Sequence, residues 1–200
     1  GVRCSSAIDH VDQQQYPRVA RAGPYILLVY EYRGRIRLRR SADGLNWGPP
    51  ERVADTGIWQ TWSRRCPVEM RIGPHPYVPD TYTCLNGGPP GIWVEQGRVY
   101  VFAGLGQNPG HLGCYTGAVT MPAEAYQPCD ANPLLRGAAS YGPPFEEGAK
   151  ANEYFDFRTI SSADAVRVGD RVYLFFEGVR GPGPGDPGDS QFGLGLARSK

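Results

Sequence analysis

Three carboxylic acids stand where polar loop gives way to strand-forming sequence: Asp12 in "AIDHVDQQQ", Glu153 in "ANEYFDF" and Asp164 in "SSADAVRV". Two such groups facing each other across one bond, one protonated and one ionised, can cleave it by general acid and base. If the bond is an acetal, a carboxyl separation of about 5 to 5.5 Å goes with retention and about 6.5 to 9.5 Å with inversion. The leading pair is Asp12 with Glu153 or Asp164. Each acid also has a plainer reading, because carboxylates at exposed strand ends commonly pair with arginines.

Other residues are of types that hold a hydroxyl-rich substrate. His10, between Asp9 and Asp12, could carry protons or orient a ligand, although a surface-loop histidine does neither. Arg18 follows Tyr16-Pro17, and a guanidinium can take a carboxylate through two hydrogen bonds. Trp62 lies in a long loop, where an indole face can receive the C–H face of a ring, and His111 in "NPGHLGC" and Asp156 complete the candidate binding set. His75, Trp59, Tyr77 and Tyr82 lie in or near similar loops, whereas Trp93 sits inside a strand pattern and is expected to pack in the core.

The elements that must position these groups are strands. Among 200 residues, 27 Gly and 19 Pro separate short runs dense in aromatic and β-branched residues, such as "YILLVYEY", "RVYVFAG" and "RVYLFFEG". Apolar residues nowhere recur at helical spacing over three turns, so the fold class is all-β. With 40% hydrophobic and 20% charged residues the chain can build a core. Its net charge of +1 leaves no footprint for nucleic acid, and no apolar run is long enough for a membrane helix. Nucleotide and serine-hydrolase signatures are absent. No cofactor is expected; Asp186 and Asp189 in "GPGPGDPGDS" could offer oxygens to a structural calcium, a flexible insertion being the simpler reading.

Five cysteines without a CxxC pair argue for disulfides rather than zinc, and so for a secreted or periplasmic protein. Cys114 with Cys129 and Cys66 with Cys84 are the short-range pairings among many.

Self-similarity organises the whole chain. Segments starting near Tyr16, Pro89 and Ser162 align when Gly23, Gln96 and Gly169 are superposed, which aligns Leu27, Tyr100 and Tyr173, and also Glu31, Gly104 and Glu177. The period is about seventy residues, and each unit reads as strand, tight turn, strong apolar strand, loop and a third strand that ends at Arg40-Ser41 or Arg198-Ser199. Such units are propeller blades. One partial β-propeller domain over 1–200 is expected, with units at about 12–60, 85–130 and 155–200. Lys200 falls where the first unit continues "SADGLNW", so a fragment of about three blades out of five is expected, in a propeller of roughly 350 residues. A C-terminal portion or a companion chain would complete it.

"VRVGDRVYLFFEG" with "GLGLARSK" resembles the blade pattern of the arabinanase, xylosidase, invertase and mannoside-phosphorylase group of five-bladed enzymes, and Ser41, Asp43, Gly44 and Trp47 resemble the Asp box of sialidases. The resemblance implies a glycoside hydrolase whose acidic side chains gather where the inner strands begin, at the ring axis. It also implies Asp-Pro at those strand starts, where this chain has Tyr16-Pro17, Pro89-Pro90 and Ser162-Ala163. Asp43 is expected to be structural, accepting N–H bonds across its turn. Glu31 and Glu177, repeating at one blade position, rank below Asp164 as chemical groups. The expected function is glycosidic cleavage by axial carboxylates, with a non-catalytic glycan- or protein-binding propeller and a sialidase-like exo-glycosidase as alternatives.

Overall fold

A computed structural model describes residues 14–32, 35–53, 89–105, 111–132, 134–136, 159–180 and 191–199. Asp12, Glu153, Asp156, His10, Trp62, Asp186 and Asp189 lie outside them, as do Cys66 and Cys84. Among the described residues there are three antiparallel sheets and no α-helix.

The first sheet runs β1 (Gln14–Ala22), β2 (Tyr25–Tyr32), β3 (Arg35–Ser41) and β4 (Glu51–Arg52) in chain order. The second joins β5 (Gly91–Glu95), β6 (Arg98–Leu105), β7 (His111–Ala118) and β8 (Gln127–Pro128), with β9 (Leu135–Arg136) also on β7. The third is β10 (Thr159–Val168), β11 (Arg171–Arg180) and β12 (Gln191–Arg198).

Each inner hairpin closes through the residues that the repeat aligns. Gly23, Gln96 and Gly169 each open a two-residue turn with positive φ, which the right-handed twist of tight hairpins favours. The registers repeat as well: Leu27 pairs with Arg40 as Tyr173 pairs with Arg198. A β-bulge interrupts β1 between Gln15 and Arg18 and β10 between Ser161 and Asp164.

The sheets stack face to face, with the second in the middle. Leu27, Val29, Ile36 and Leu38 of the first sheet bury against Val99, Val101 and Tyr115 of the second. The opposite face of the second sheet gives Phe102, Leu112 and Cys114 to a separate cluster with Ile160, Ala163 and Phe176 of the third. Alternation along each strand of the middle sheet therefore feeds two cores instead of one core and solvent. Trp93 packs beside this second cluster, 5.0 Å from the Tyr100 ring.

Polar groups tie the outer parts of the first two sheets. Arg40 pairs with Glu51, donates through Nη2 to the Met121 carbonyl at 2.6 Å, and reaches the Tyr126 hydroxyl at 3.3 Å. The other Glu51 oxygen accepts the Ala123 N–H at 2.7 Å, at the start of a 3-10 turn (Ala123–Ala125). Burial disfavours the Arg40 charge, and the hydrogen bond and charge of Glu51, helped by Tyr126, outweigh it and hold the guanidinium above its ordinary pKa. Burial pushes the Tyr126 phenol up. Replacing Arg40 with Met leaves Glu51 without its partner and is expected to cost about 2 to 3 kcal/mol in urea unfolding. Glu51→Gln/Arg40→Met should recover part of that loss.

Candidate functional site

The aligned units put three inner-strand starts in one neighbourhood. Tyr16-Pro17-Arg18, Pro89-Pro90-Gly91 and Ser162-Ala163-Asp164 are equivalent triplets, and β5 lies between β1 and β10. Gly91 lets β5 and β10 meet: a Cβ there would stand 1.5 Å from the Ala163 carbonyl oxygen. Farther along the same two strands Arg167 donates through Nη2 to Glu95 at 2.9 Å, so they run side by side in the same sense. Hydrogen bonding to Arg167 draws the Glu95 carboxyl below its usual pKa.

Across this side-chain-free midpoint, the first and third units touch. Arg18 Nε lies 3.6 Å from Asp164 Oδ2, with 38% and 58% of the two side chains exposed. Arg18 also donates through Nη1 to the Pro17 carbonyl at 3.1 Å. The two bulges produce the pairing, since an extra residue in β1 before Arg18 and in β10 before Asp164 re-aims the side chains that follow. Tyr16, half exposed, sits in the first bulge with φ of 55°. That region disfavours a bulky side chain, and a residue held there is a pointer to a functional site.

Of the sequence-predicted groups, Arg18 and Asp164 are thus brought together. His111 opens β7, opposite Leu105 and Arg136, so it belongs to a strand and not to a loop as its Gly-rich surroundings implied. Asp12, Glu153, Asp156, His10 and Trp62 lie outside the described residues. Two further acids lie at the bulges in the register. Glu31 pairs with Gln15 and Glu177 with Ser161, each at a bulge, and Glu31 is among the few buried polar residues described. Both repeat at one blade position, on the strand that pairs with the bulged one. No cluster of metal-ligating side chains occurs among the described residues, and none of the helices described there is long and apolar enough to cross a membrane.

The Ser41–Trp47 turn is elsewhere. Ser41 pairs with Ile26, beside the hairpin turn and at the far end of the strands from the bulges. Asp43 accepts the N–H groups of Leu45 and Asn46 at 2.8 Å each, and the Asn46 amide donates to its second oxygen at 2.8 Å. Gly44 takes φ of 78°, and Trp47 Nε1 donates back to the Gly44 carbonyl at 3.1 Å. In the second sheet, a disulfide joins Cys114 to Cys129, one of the two short-range pairings open to the sequence. Asn132 brackets Cys114, accepting its N–H and donating to its carbonyl at 2.8 Å each.

No protein-family model matches the chain, and no curated protein matches it. Solved structures do. A thermostable family-43 glycoside hydrolase is 12% identical with a TM-score of 0.57, matched over 96% of this chain and 56% of its own. The α-L-arabinofuranosidase PaAbf62A from Podospora anserina, solved with cellotriose, is 15% identical with a TM-score of 0.54, over 94% and 47%. An α-L-arabinofuranosidase from Lactobacillus brevis is 11% identical with a TM-score of 0.51, over 90% and 52%. The chain spans about half the length of each of these three structures. At such identities the likeness establishes the fold: the three sheets are successive blades of the five-bladed propeller kind.

Two predictions follow from this geometry. Gly91→Ala must push β5 from the Ala163 carbonyl and is expected to cost about 3 kcal/mol or more in urea unfolding. Gly97→Ala, at a positive φ of 75° with open space around it, should cost only about 1 kcal/mol. The second concerns Asp43, whose carboxyl is held well below the usual carboxylate range by the Asn46 N–H first, then the Leu45 N–H, the Asn46 amide and Ser41. A carboxyl with a depressed folded pKa adds stability above its unfolded pKa of about 3.9 and loses it as pH falls towards the folded value. Asp43→Ala should lower the thermal midpoint at pH 7, and the gap to the parent should narrow steadily below about pH 4.

Proposed function

We propose that this chain supplies three blades of a glycan-active hydrolase, whose substrate lies where the inner strands begin. The observation that carries this reading is the meeting of Arg18 from the first unit with Asp164 from the third across Gly91 of the second. Residues far apart in sequence converge at one solvent-open point, at the strand ends where bulges re-aim side chains. The likeness in fold to propeller glycoside hydrolases supports the substrate class.

In the proposed reaction Asp164 takes a proton from water as the water oxygen bonds to the anomeric carbon. The bond from that carbon to the leaving oxygen breaks, and a second carboxylic acid gives its proton to the leaving oxygen. Asp12 and Glu153 are the candidates for the second acid. Arg18 fixes the Asp164 carboxylate and can donate to a substrate hydroxyl with its remaining N–H groups. His10, Trp62, His111 and Asp156 are proposed as further substrate contacts. Further polypeptide is proposed to complete the ring, and the Cys114–Cys129 disulfide supports a secreted or periplasmic setting.

One observation favours a second reading, a propeller that binds glycan without cleaving it. Tyr16, Pro89 and Ser162 occupy the three equivalent strand starts where the enzymes that the chain resembles carry Asp, and the Asp164 carboxylate is already held by Arg18.

Turnover of a panel of nitrophenyl pentosides and hexosides and of plant polysaccharides separates the two. Asp164→Asn is expected to lower kcat by about 10²- to 10⁴-fold with an unchanged thermal midpoint. Arg18→Ala should raise KM by about 10-fold, as loss of one charge-assisted hydrogen bond does. Full turnover in a folded Asp164→Asn variant removes Asp164 from the reaction. Polysaccharide binding with no turnover of any substrate establishes the binding reading instead.

A further inference from the structure

The strand starts carry one positive and one negative charge that do not satisfy each other. Arg18 Nε and Asp164 Oδ2 stand 3.6 Å apart, beyond hydrogen-bond reach, so the two are held by charge alone. Among the described residues the only hydrogen bond of Arg18 runs from Nη1 to the Pro17 carbonyl at 3.1 Å. Its Nε and Nη2 groups form the side of the guanidinium that matches both oxygens of a carboxylate, and they are left for another acceptor. Both side chains are open to solvent, and an ion pair so placed contributes little. A second carboxylate that makes two hydrogen bonds to Arg18 therefore displaces Asp164 easily.

The neighbouring positions do not repel an anion. In the triplets Tyr16-Pro17-Arg18, Pro89-Pro90-Gly91 and Ser162-Ala163-Asp164, the charged residues are Arg18 and Asp164 alone. The family resemblance implies an acid at the first place of each triplet, and uncharged Tyr16, Pro89 and Ser162 stand there. The triplets thus sum to zero charge in place of a surplus of carboxylates. Glu31 and Glu177, on the paired strands, each interact with another group, and Glu31 is buried. Tyr16, 45% exposed and two places before Arg18 in the same bulge, is kept at a φ of 55° that disfavours a bulky residue. A phenol ring can receive the C–H face of a sugar whose charged edge lies on a guanidinium.

We propose that the glycan met at the strand starts is anionic, a polymer of uronic acids whose carboxylate takes Arg18 in place of Asp164. The exchange frees the Asp164 carboxylate, which is then the base that hydrolysis needs, whereas a neutral sugar leaves it beside Arg18. The inference rests on the reading that the strand starts hold a glycan, and it names the class of that glycan.

The test is calorimetric titration of the 200-residue chain, and it reads binding whether or not turnover occurs. The probes are trimers of galacturonic, glucuronic and mannuronic acid, their methyl esters, and neutral trimers of galactose, arabinose and xylose. At least one free acid is expected to bind about 10-fold or more tightly than its own methyl ester. Arg18→Gln should abolish that preference, and Arg18→Lys should keep part of it, because an ammonium retains the charge without the fork. Asp164→Asn, which removes the competing carboxylate, should tighten the free acid by about 3-fold and leave the neutral trimers unchanged. Tyr16→Gly should weaken acid and ester by the same factor, about 5-fold, since a ring face does not read charge. Equal binding of acid and ester, or a preference that survives Arg18→Gln, overturns the proposal. Binding of a neutral trimer alone also overturns it while leaving the glycan reading intact, and a chain that binds no trimer removes both.

Discussion

The arrangement depends on one close approach. Gly91 has no side chain where β5 meets the Ala163 carbonyl, and this lets the inner strands of the second and third sheets lie closer than any Cβ would permit. Were the strands held apart, the start of β1 could not see the start of β10, and Arg18 and Asp164 would face separate patches of solvent. A glycine in a strand weakens that strand locally. Here the loss is offset by two apolar clusters, one on each face of the middle sheet.

Stacked sheets of this kind divide their labour. The apolar faces supply cohesion in proportion to the area removed from water and carry no directional information. Orientation comes from polar contacts at each junction: Arg40, paired with Glu51, grips the second sheet's outer connection from the first, and Arg167 of the third sheet holds Glu95 of the second beside the inner turns. The Asp43 turn, with its four hydrogen-bond donors, is local by comparison and fixes the path of the chain out of β3. None of these lies at the bulged strand starts. Among the described residues, that end holds an exposed ion pair and a tyrosine at positive φ.

The sequence already contained the all-β class, the three-fold repeat and its register. The positions aligned by the turn residues, Gly23, Gln96 and Gly169, all take positive φ, and the strand pairs that follow in the first and third sheets coincide to the residue. This was legible because turn geometry and strand alternation are local: a backbone that must reverse in two residues needs permissive residues there, and a strand that feeds a core must alternate. The Cys114–Cys129 pairing was one option among many, and only the adjacency of β7 to the segment after β8 selects it.

Convergence could not be read in the same way. Arg18 and Asp164 were each visible as strand-start residues, but their contact depends on the spacing of two sheets across a third, which no local pattern encodes. Glu31 and Glu177 were visible as repeat positions, but that each lies opposite a bulge follows only from the strand register. The one-dimensional chain determined which residues begin each inner strand and which face each side chain takes. Tertiary packing alone decided which of those strand starts would meet, because that distance is set by the missing Cβ of Gly91 and by the burial of both faces of the sheet that carries it.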